Sequence, residues 1–543
     1  MPLIVSPPFR RLGSRQLSPI PTEIYLEIFD HLKSSTITDD KEYNSILSSL
    51  IPVCRFFRAV ARPLRFRNIL LDALAETRKD NAVLNRQIAA GASAALEIAT
   101  SVKACVYSNW INPSRIKEHL LSIHFRALKS MRNLHCLDLD YVTLTPSFFQ
   151  AIATTISLQS LSISHCEYDF TVATADIQKL SVLQLETFSL HNCYSRDQEQ
   201  HSKYWTSFSD AITSPKLRFL RTDQDAFARA LPELKKDFLI EDLSFVSDSH
   251  DLLFQLIGRF PSLATLHFEP KTQSQAQQGL IMQPRSPNPI LVPNLRTLKA
   301  SSLELASHLL IGRPIEDLQI IGCAKGYNDS NADSASTRMD AVVMAAAKAP
   351  IRRLLVPWEF MRILQIPDNF PRLETLSVQF FDSLFMTDRI RLEHIGECVS
   401  GGSSSRTVQN LVIEGEINLP EFDISRQHAS ITSSLIPAFP NLRYISLASF
   451  IEWQRPYTTA PWEPQRHSFL ARSSLTPERT CKFLMSTIPH GTKDYRNFYA
   501  SFFRQANLPL PTFIGTLIVS SVPRCVHISK WLLSGIIGIG EDL

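Results

Sequence analysis

The side chains best able to do chemistry by type stand in two pairs, His165 with Cys166 and His191 with Cys193. Imidazole and thiolate are the usual ligands of zinc, so these pairs raise the question of a metal centre. Their spacing argues against one. No CxxC and no HxxxH occurs anywhere in the chain, and structural zinc sites are built from such close ligand pairs. Catalytic signatures are equally missing. There is no P-loop, no GxGxxG turn, no GxSxG and no HExxH. The run Gly535-Ile-Ile-Gly-Ile-Gly540 is the nearest glycine-rich stretch, and it leaves no room for the helix a nucleotide loop needs. A triad can still be assembled by the fold alone. The expectation is a protein without enzymatic activity, cofactor or metal.

Two apolar helices stand out near the N-terminus. In Ile20-Pro-Thr-Glu-Ile-Tyr-Leu-Glu-Ile-Phe-Asp-His-Leu32, Ile24, Ile28 and Leu32 are four apart and form one stripe, widened by Tyr25 and Phe29. Pro21 suits the first helical position and Glu23 the first turn. Residues 34–45 are polar and read as a loop. A second helix follows, its buried positions marked by Ile46, Leu47, Leu50, Val53, Cys54 and Phe57, and it is expected to stop at Pro63. On periodicity alone this is a small helical hairpin at a domain edge. A segment this short cannot bury all of its apolar side chains internally, which points to a partner.

The residue identities say more. Ile20-Pro21-x-Glu23-Ile24-x3-Ile28-Phe29-x2-Leu32, followed by Val53-Cys54-Arg55-x-Phe57-x3-Ala61-Arg62-Pro63-Leu64-x-Phe66-Arg67, resembles the F-box family along its whole motif. It departs from that family in the longer stretch between Leu32 and Val53 and in Phe57, where the family often has Trp. The resemblance covers about a tenth of the chain. It implies a few helices that dock on a Skp-family adaptor and, through it, on a cullin of a ubiquitin ligase, with the ubiquitin chemistry supplied by partner subunits. By the same resemblance Ile20, Pro21, Ile24, Ile28, Val53, Cys54, Phe57, Pro63 and Leu64 form the docking surface or its immediate support.

Downstream a six-residue pattern recurs, apolar-x-x-apolar-x-apolar. It begins at Leu134, Leu158, Leu185, Ile240, Leu263, Ile315, Leu373, Val408 and Leu442, with weaker copies at Val102, Leu217, Leu295 and Ile351. Many copies follow a turn such as Phe260-Pro-Ser-Leu263 or Phe439-Pro-Asn-Leu442. A strand–helix unit repeated at this spacing is the mark of leucine-rich repeats, here irregular. One unit cannot bury its own apolar face, so neighbours bury it together. Alternation within each hexad turns its last two apolar residues inward. Cys166, Cys193 and Cys323 each fall eight residues after the first apolar residue, where the repeat tolerates Asn or Cys, and are expected to pack beneath the strand-to-helix turn.

The fold class expected is therefore α/β: a small N-terminal helical F-box followed by a leucine-rich-repeat solenoid, a curved parallel sheet with helices outside. The layout is a flexible tail at 1–16, the helical segment at 17–72, a linking helix at 73–101, the repeat array at 102–460 and a C-terminal cap or tail at 461–543. Polar inserts at Lys271–Pro289, Lys325–Thr337 and Gly401–Arg406 read as exposed loops. The residues between the inward ones should line a face for a target protein. That face is small and polar, with no arginine cluster. Phe219, Arg221, Arg353 and Tyr444 are its best anchors, since aromatics and arginine dominate interface energetics.

Fifty-six basic against 52 acidic residues leave +4, which makes no global case for nucleic acid or an anionic membrane as partner. Residues 1–15 lack an apolar secretory core, and no stretch of 18 apolar residues occurs. Nine irregularly spaced cysteines suit a reducing compartment, so cytoplasm or nucleus is expected. The alternative to a ligase subunit is a leucine-rich-repeat scaffold that binds a protein without any ligase role.

Overall fold

The computed structural model describes residues 10–466 except 13–14, 18–19, 36–39, 74–78, 112–114, 170, 196–197, 213, 234–238, 272–291, 302, 322–331, 362–365, 380–391, 401–403, 415–423 and 448–450. Two compact units result. The first takes Met1–Leu26 with Asn44–Leu354, the second Glu27–Tyr43 with Leu355–Leu543. Within the stretch read as a tail, β1 (Arg10–Leu12) and β2 (Arg15–Leu17) pair as a short antiparallel ribbon.

Three helices follow rather than two: α1 (Thr22–Ser35), α2 (Asp40–Leu50) and α3 (Arg55–Arg65). Much of the polar stretch 34–45 is thus helical. The break expected at Pro63 comes earlier, at the turn Ile51–Cys54, where Val53 N–H donates to Leu50 O at 3.1 Å. Cys54 is extended and caps α3, its sulfur accepting from Phe57 N–H at 3.5 Å. Pro63 lies inside α3, where it has no N–H to give the carbonyl of Ala59. The last turn is closed by Phe66 N–H on Arg62 O at 3.2 Å.

The first unit carries a long parallel ladder. In order of pairing its strands are β3 (Asn68–Asp72), β4 (Ala104–Trp110), β5 (Cys136–Leu144), β6 (Ser160–Ser164), β8 (Thr187–His191), β10 (Phe219–Thr222), β11 (Asp242–Val246), β12 (Thr265–Glu269), β13 (Thr297–Ala300) and β14 (Asp317–Ile320). Two-residue strands β7 (Glu167–Tyr168) and β9 (Tyr194–Ser195) extend the exit side of β5. The inward pairs, such as Leu137 and Leu139, Phe188 and Leu190, or Leu266 and Phe268, are fully buried. The alternation expected of the hexads is therefore what the sheet shows.

One hydrogen-bond device repeats at each step. The carbonyl just ahead of one strand accepts the N–H of two successive residues of the next repeat. His135 O takes Gln159 and Ser160 at 2.9 and 2.8 Å, Glu241 O takes Ala264 and Thr265 at 2.8 and 2.9 Å, and Glu316 O takes Arg352 and Arg353 at 2.8 and 2.9 Å. The earliest such acceptor is Arg67 O, which takes Lys103 and Ala104 at 2.8 and 3.1 Å. The ladder therefore begins at Asn68, one repeat before the first weak hexad. That strand lies inside the segment expected to be helical. Two helices, Lys79–Ala89 and Ser93–Ala99, stand where a single linking helix was expected.

β15 (Arg353–Pro357) comes next in the chain, and in the second unit β16 (Thr375–Gln379), β17 (Asn410–Glu414) and β18 (Tyr444–Leu447) run parallel. The parallel run ends there. β19 (Ile451–Gln454) and β20 (Glu463–Arg466) add to β18 antiparallel, so a hairpin covers the sheet edge from residue 451 rather than from 461. Arg455 pins this hairpin. Its buried guanidinium donates to Leu442 O at 2.6 Å and Pro440 O at 3.0 Å and lies 4.8 Å over the Trp462 ring. Of the polar inserts, Ala332–Ala346 is a helix, and Ser405 is buried with its N–H on Ala438 O at 2.9 Å. Residues 272–291 and everything after 466, including the apolar stretches at 513–519 and 531–539, lie outside the described residues.

Candidate docking surfaces

The residues of the N-terminal helical motif divide by burial. Phe29, Leu47, Phe56, Ala61 and Phe66 are buried. Tyr25, Phe56 and Phe57 form an aromatic triangle with ring centroids 4.9, 5.6 and 5.6 Å apart. The side of α1 that packs is thus the Tyr25–Phe29 side. The stripe at Ile24 and Ile28 points to solvent, with those residues 42% and 47% exposed. Val53, expected to be buried, is 62% exposed at the turn before α3, because the break in the helix lifts it out. Phe56 takes the buried place expected for Phe57, which is half-buried. Pro21 and Pro63 are exposed, while Ile20, Cys54 and Leu64 are half-buried. Leu26, exposed on α1, was not singled out by the four-residue spacing.

On the ladder the outward positions form columns. Phe219 stands level with Thr187 and Asp242, and Arg221 with Ser189 and Ser244. Phe219 is 44% exposed and Arg221 is exposed. Arg353, also exposed, places Nε 3.2 Å from Asp317 Oδ2. Tyr444 lies in the second unit and differs from the others. It is half-buried opposite Gln454 of the capping hairpin, and burial together with Glu452 pushes its hydroxyl pKa up to about 12. The missed outward groups are Asp242, His267 and Glu269. His267 Nε2 donates to Glu269 at 2.8 Å, and that contact lowers the Glu269 pKa.

The His–Cys pairs serve the repeat. Cys166 and Cys193 are buried beneath the turns that follow β6 and β8. Each thiol donates to main-chain carbonyls, Cys166 to Ser164 O at 3.2 Å and Cys193 to His191 O at 3.2 Å. Burial and the neighbouring Cys193 raise the Cys166 pKa, so it is a thiol and not a thiolate. Ahead of the cysteines stand His165 and Asn192, both left-handed at φ 53° and 48°, matching Asn109 and Tyr141 at 62° and 56°. His165 stacks on Tyr141 at 4.5 Å, with Nδ1 3.0 Å from Asp140 and Nε2 3.2 Å from the Asn192 amide. Among the described residues no group of three or more His, Cys, Asp or Glu could hold a metal ion. Cys323 lies outside them. Among the same residues no helix is long and apolar enough to cross a membrane.

One buried polar cluster belongs to neither surface. His124 lies under β4, where Asn85 Nδ2 donates to its Nδ1 at 3.1 Å and Tyr107 Oη donates to its carbonyl at 3.1 Å. Burial, then the charge of Arg86, lowers the His124 pKa to about 4.

No family model and no curated protein matches the chain. Among solved structures, one that it resembles is a plant peptide hormone receptor, RGFR1, in complex with RGF2. Identity is 12% and the TM-score 0.21, over 64% of this chain and 52% of the receptor. The chain thus spans about half of that receptor's length, and at that TM-score the likeness carries no argument. The α/β solenoid rests on the parallel ladder itself.

Proposed function

We propose that this chain is the substrate-recognition subunit of a Skp–cullin–F-box type ubiquitin ligase. The helices α1–α3 dock the adaptor, and the outward face of the ladder holds a target protein. The observation that carries the reading is the exposure of Ile24, Ile28 and Val53 in a helical segment that buries other apolar side chains, Leu47 and Phe56 among them. The chain elsewhere buries its hexad leucines, isoleucines and phenylalanines. Aliphatic side chains left in water in such a segment suit a partner that covers them. The resemblance of the motif to the F-box family supports a Skp-family adaptor as that partner, and through it a cullin. The polar outward columns suit a protein target and supply no catalytic constellation, so ubiquitin transfer is left to partner subunits. Such a ligase works in the cytoplasm or nucleus.

A second reading has its own observation. The double acceptor of the ladder begins at Arg67, inside the motif. The helices therefore also fit the role of the terminal cap that solenoids require, in a scaffold without a ligase role. Binding to a purified Skp-family adaptor separates the two. The full chain should bind it, and Ile24→Ala with Ile28→Ala should abolish most of the binding while the melting temperature stays put. A wild-type chain that ignores the adaptor sinks the ligase reading and leaves the scaffold.

A further inference from the structure

The outward face of the first unit is uneven in charge. Across β3, β4, β5, β6 and β8 its columns carry Asp72, Asp138 and Asp140 and not one lysine or arginine. The chain as a whole is at +4, so this stretch of sheet opposes the average field. Asp138 is half-buried, and burial and its neighbour Asp140 both raise its pKa, with only the Ser162 hydroxyl and the Leu139 backbone as counterweights. At its level the nearest lysine or arginine of the ladder is Arg221 of β10, three strands away beyond Ser162 and Ser189. The residues around it on this face are small, Ser160, Ser162, Ser164 and Ser189, and Asp140, which has His165 Nδ1 at 3.0 Å, keeps 42% of its side chain exposed.

The next strand changes character. β10 presents Phe219, level with Cys136, Ser160 and Thr187 on the preceding strands. It leaves a large apolar ring in water, as Tyr141 of β5 also does. From β5 to β10 the ladder takes three steps, which at about 4.8 Å each is roughly 14 Å. An extended chain crossing the strands covers that distance in about four or five residues at roughly 3.3 Å per residue.

We propose that the face from β3 to β10 binds an extended protein segment carrying lysine or arginine about four or five residues from an aliphatic side chain. The basic groups lie over Asp138 and Asp140 and the aliphatic one rests on Phe219. This rests on the reading that the ladder is the target-binding part of the chain. Charge complementarity sets which segment is chosen and how fast it arrives, and the aromatic anchor sets how long it stays.

The test uses the full chain and two labelled peptides of about a dozen residues in a Gly/Ser background, long enough to cross the face. One has a Lys-Arg pair and a leucine five positions on, and the other replaces the pair with Glu-Glu. Global charge favours the acidic peptide, so preference for the basic one reports the local face. The basic peptide should bind at least about ten-fold tighter and weaken with added salt. Asp138→Asn should weaken it several-fold, and Phe219→Ser about ten-fold, both with unchanged circular dichroism. Equal affinity for the two peptides, preference for the acidic one, or indifference to both variants overturns the proposal. Concentration-dependent dimerisation that Asp138→Asn abolishes would assign the face to a second copy and overturn it too. The same preparation is assayed for adaptor binding. Adaptor binding without peptide binding removes this inference alone, and peptide binding without adaptor binding removes the ligase reading alone.

Discussion

The helical segment α1–α3 and the parallel ladder bury their apolar residues by different rules. In the ladder each repeat covers the next, so inward residues such as Leu139, Phe188 and Phe268 have no route to water. In the helical segment Phe29, Leu47, Phe56 and Ala61 are buried, while Ile24, Ile28 and Val53 stay in water. The same residue type therefore means stability in one region and availability in the other. Surface chemistry diverges in step, aliphatic on α1 and at Val53, polar and locally acidic on β3–β8.

The sharpest way to break that contrast is to cut one residue from each region. Phe188→Ala, beneath β8, should lower unfolding stability by about 3–5 kcal/mol in denaturant titration, since a fully buried phenylalanine leaves a cavity. A loss under about 1 kcal/mol would mean the ladder is loosely packed. By contrast, Ile24→Ala with Ile28→Ala should cost the fold under about 1 kcal/mol while adaptor affinity falls by about 2–4 kcal/mol in calorimetry. Equal losses in both readouts would erase the distinction.

The buried cluster under β4 gives a third test. The His124 pKa is lowered from 6.5 to about 4, so the folded chain holds the ring neutral while the unfolded chain protonates it below 6.5. Its contribution is then fully present above pH 6.5 and is lost as pH falls toward 4, by up to about 3 kcal/mol over the whole window. His124→Gln should flatten that part of the stability–pH curve. An unchanged slope would show that the ring does not titrate in the window. The smallest effect is expected at the α3 cap. Cys54→Ser replaces a weak sulfur acceptor with a good one and should raise stability by about 0.5 kcal/mol. A drop would mean the thiol is held by packing rather than by its cap.

Much of the ladder was legible because its rule is local. A strand exposes alternate faces whatever surrounds it, so hexads at Leu134 or Leu263 name their own inward residues. Cys166 and Cys193 were legible for the same reason, as small residues at a fixed offset. β3 was not, because its hexad overlaps the helical motif and only the pairing of Asn68–Asp72 with β4 reveals it. Phe219 and Arg221 could be placed outward from their strand positions, while the half-buried state of Tyr444 follows from a hairpin that folds back on β18.

The sequence by itself determined the repeat, the inward residues and the presence of a short apolar motif ahead of them, because periodicity and residue type act over a few neighbours. Tertiary structure alone decided which motif residues are spent on the core. Tyr25 turns toward Phe56 and Phe57, which come from a later helix, while Ile24 on the same turn of α1 stays in water. It also decided that Asp138 and Asp140 share a face with Phe219, because β5 and β10 come into one sheet only when β6 and β8 stack between them. Contacts between residues far apart in the chain depend on how units stack, and no local pattern carries that information.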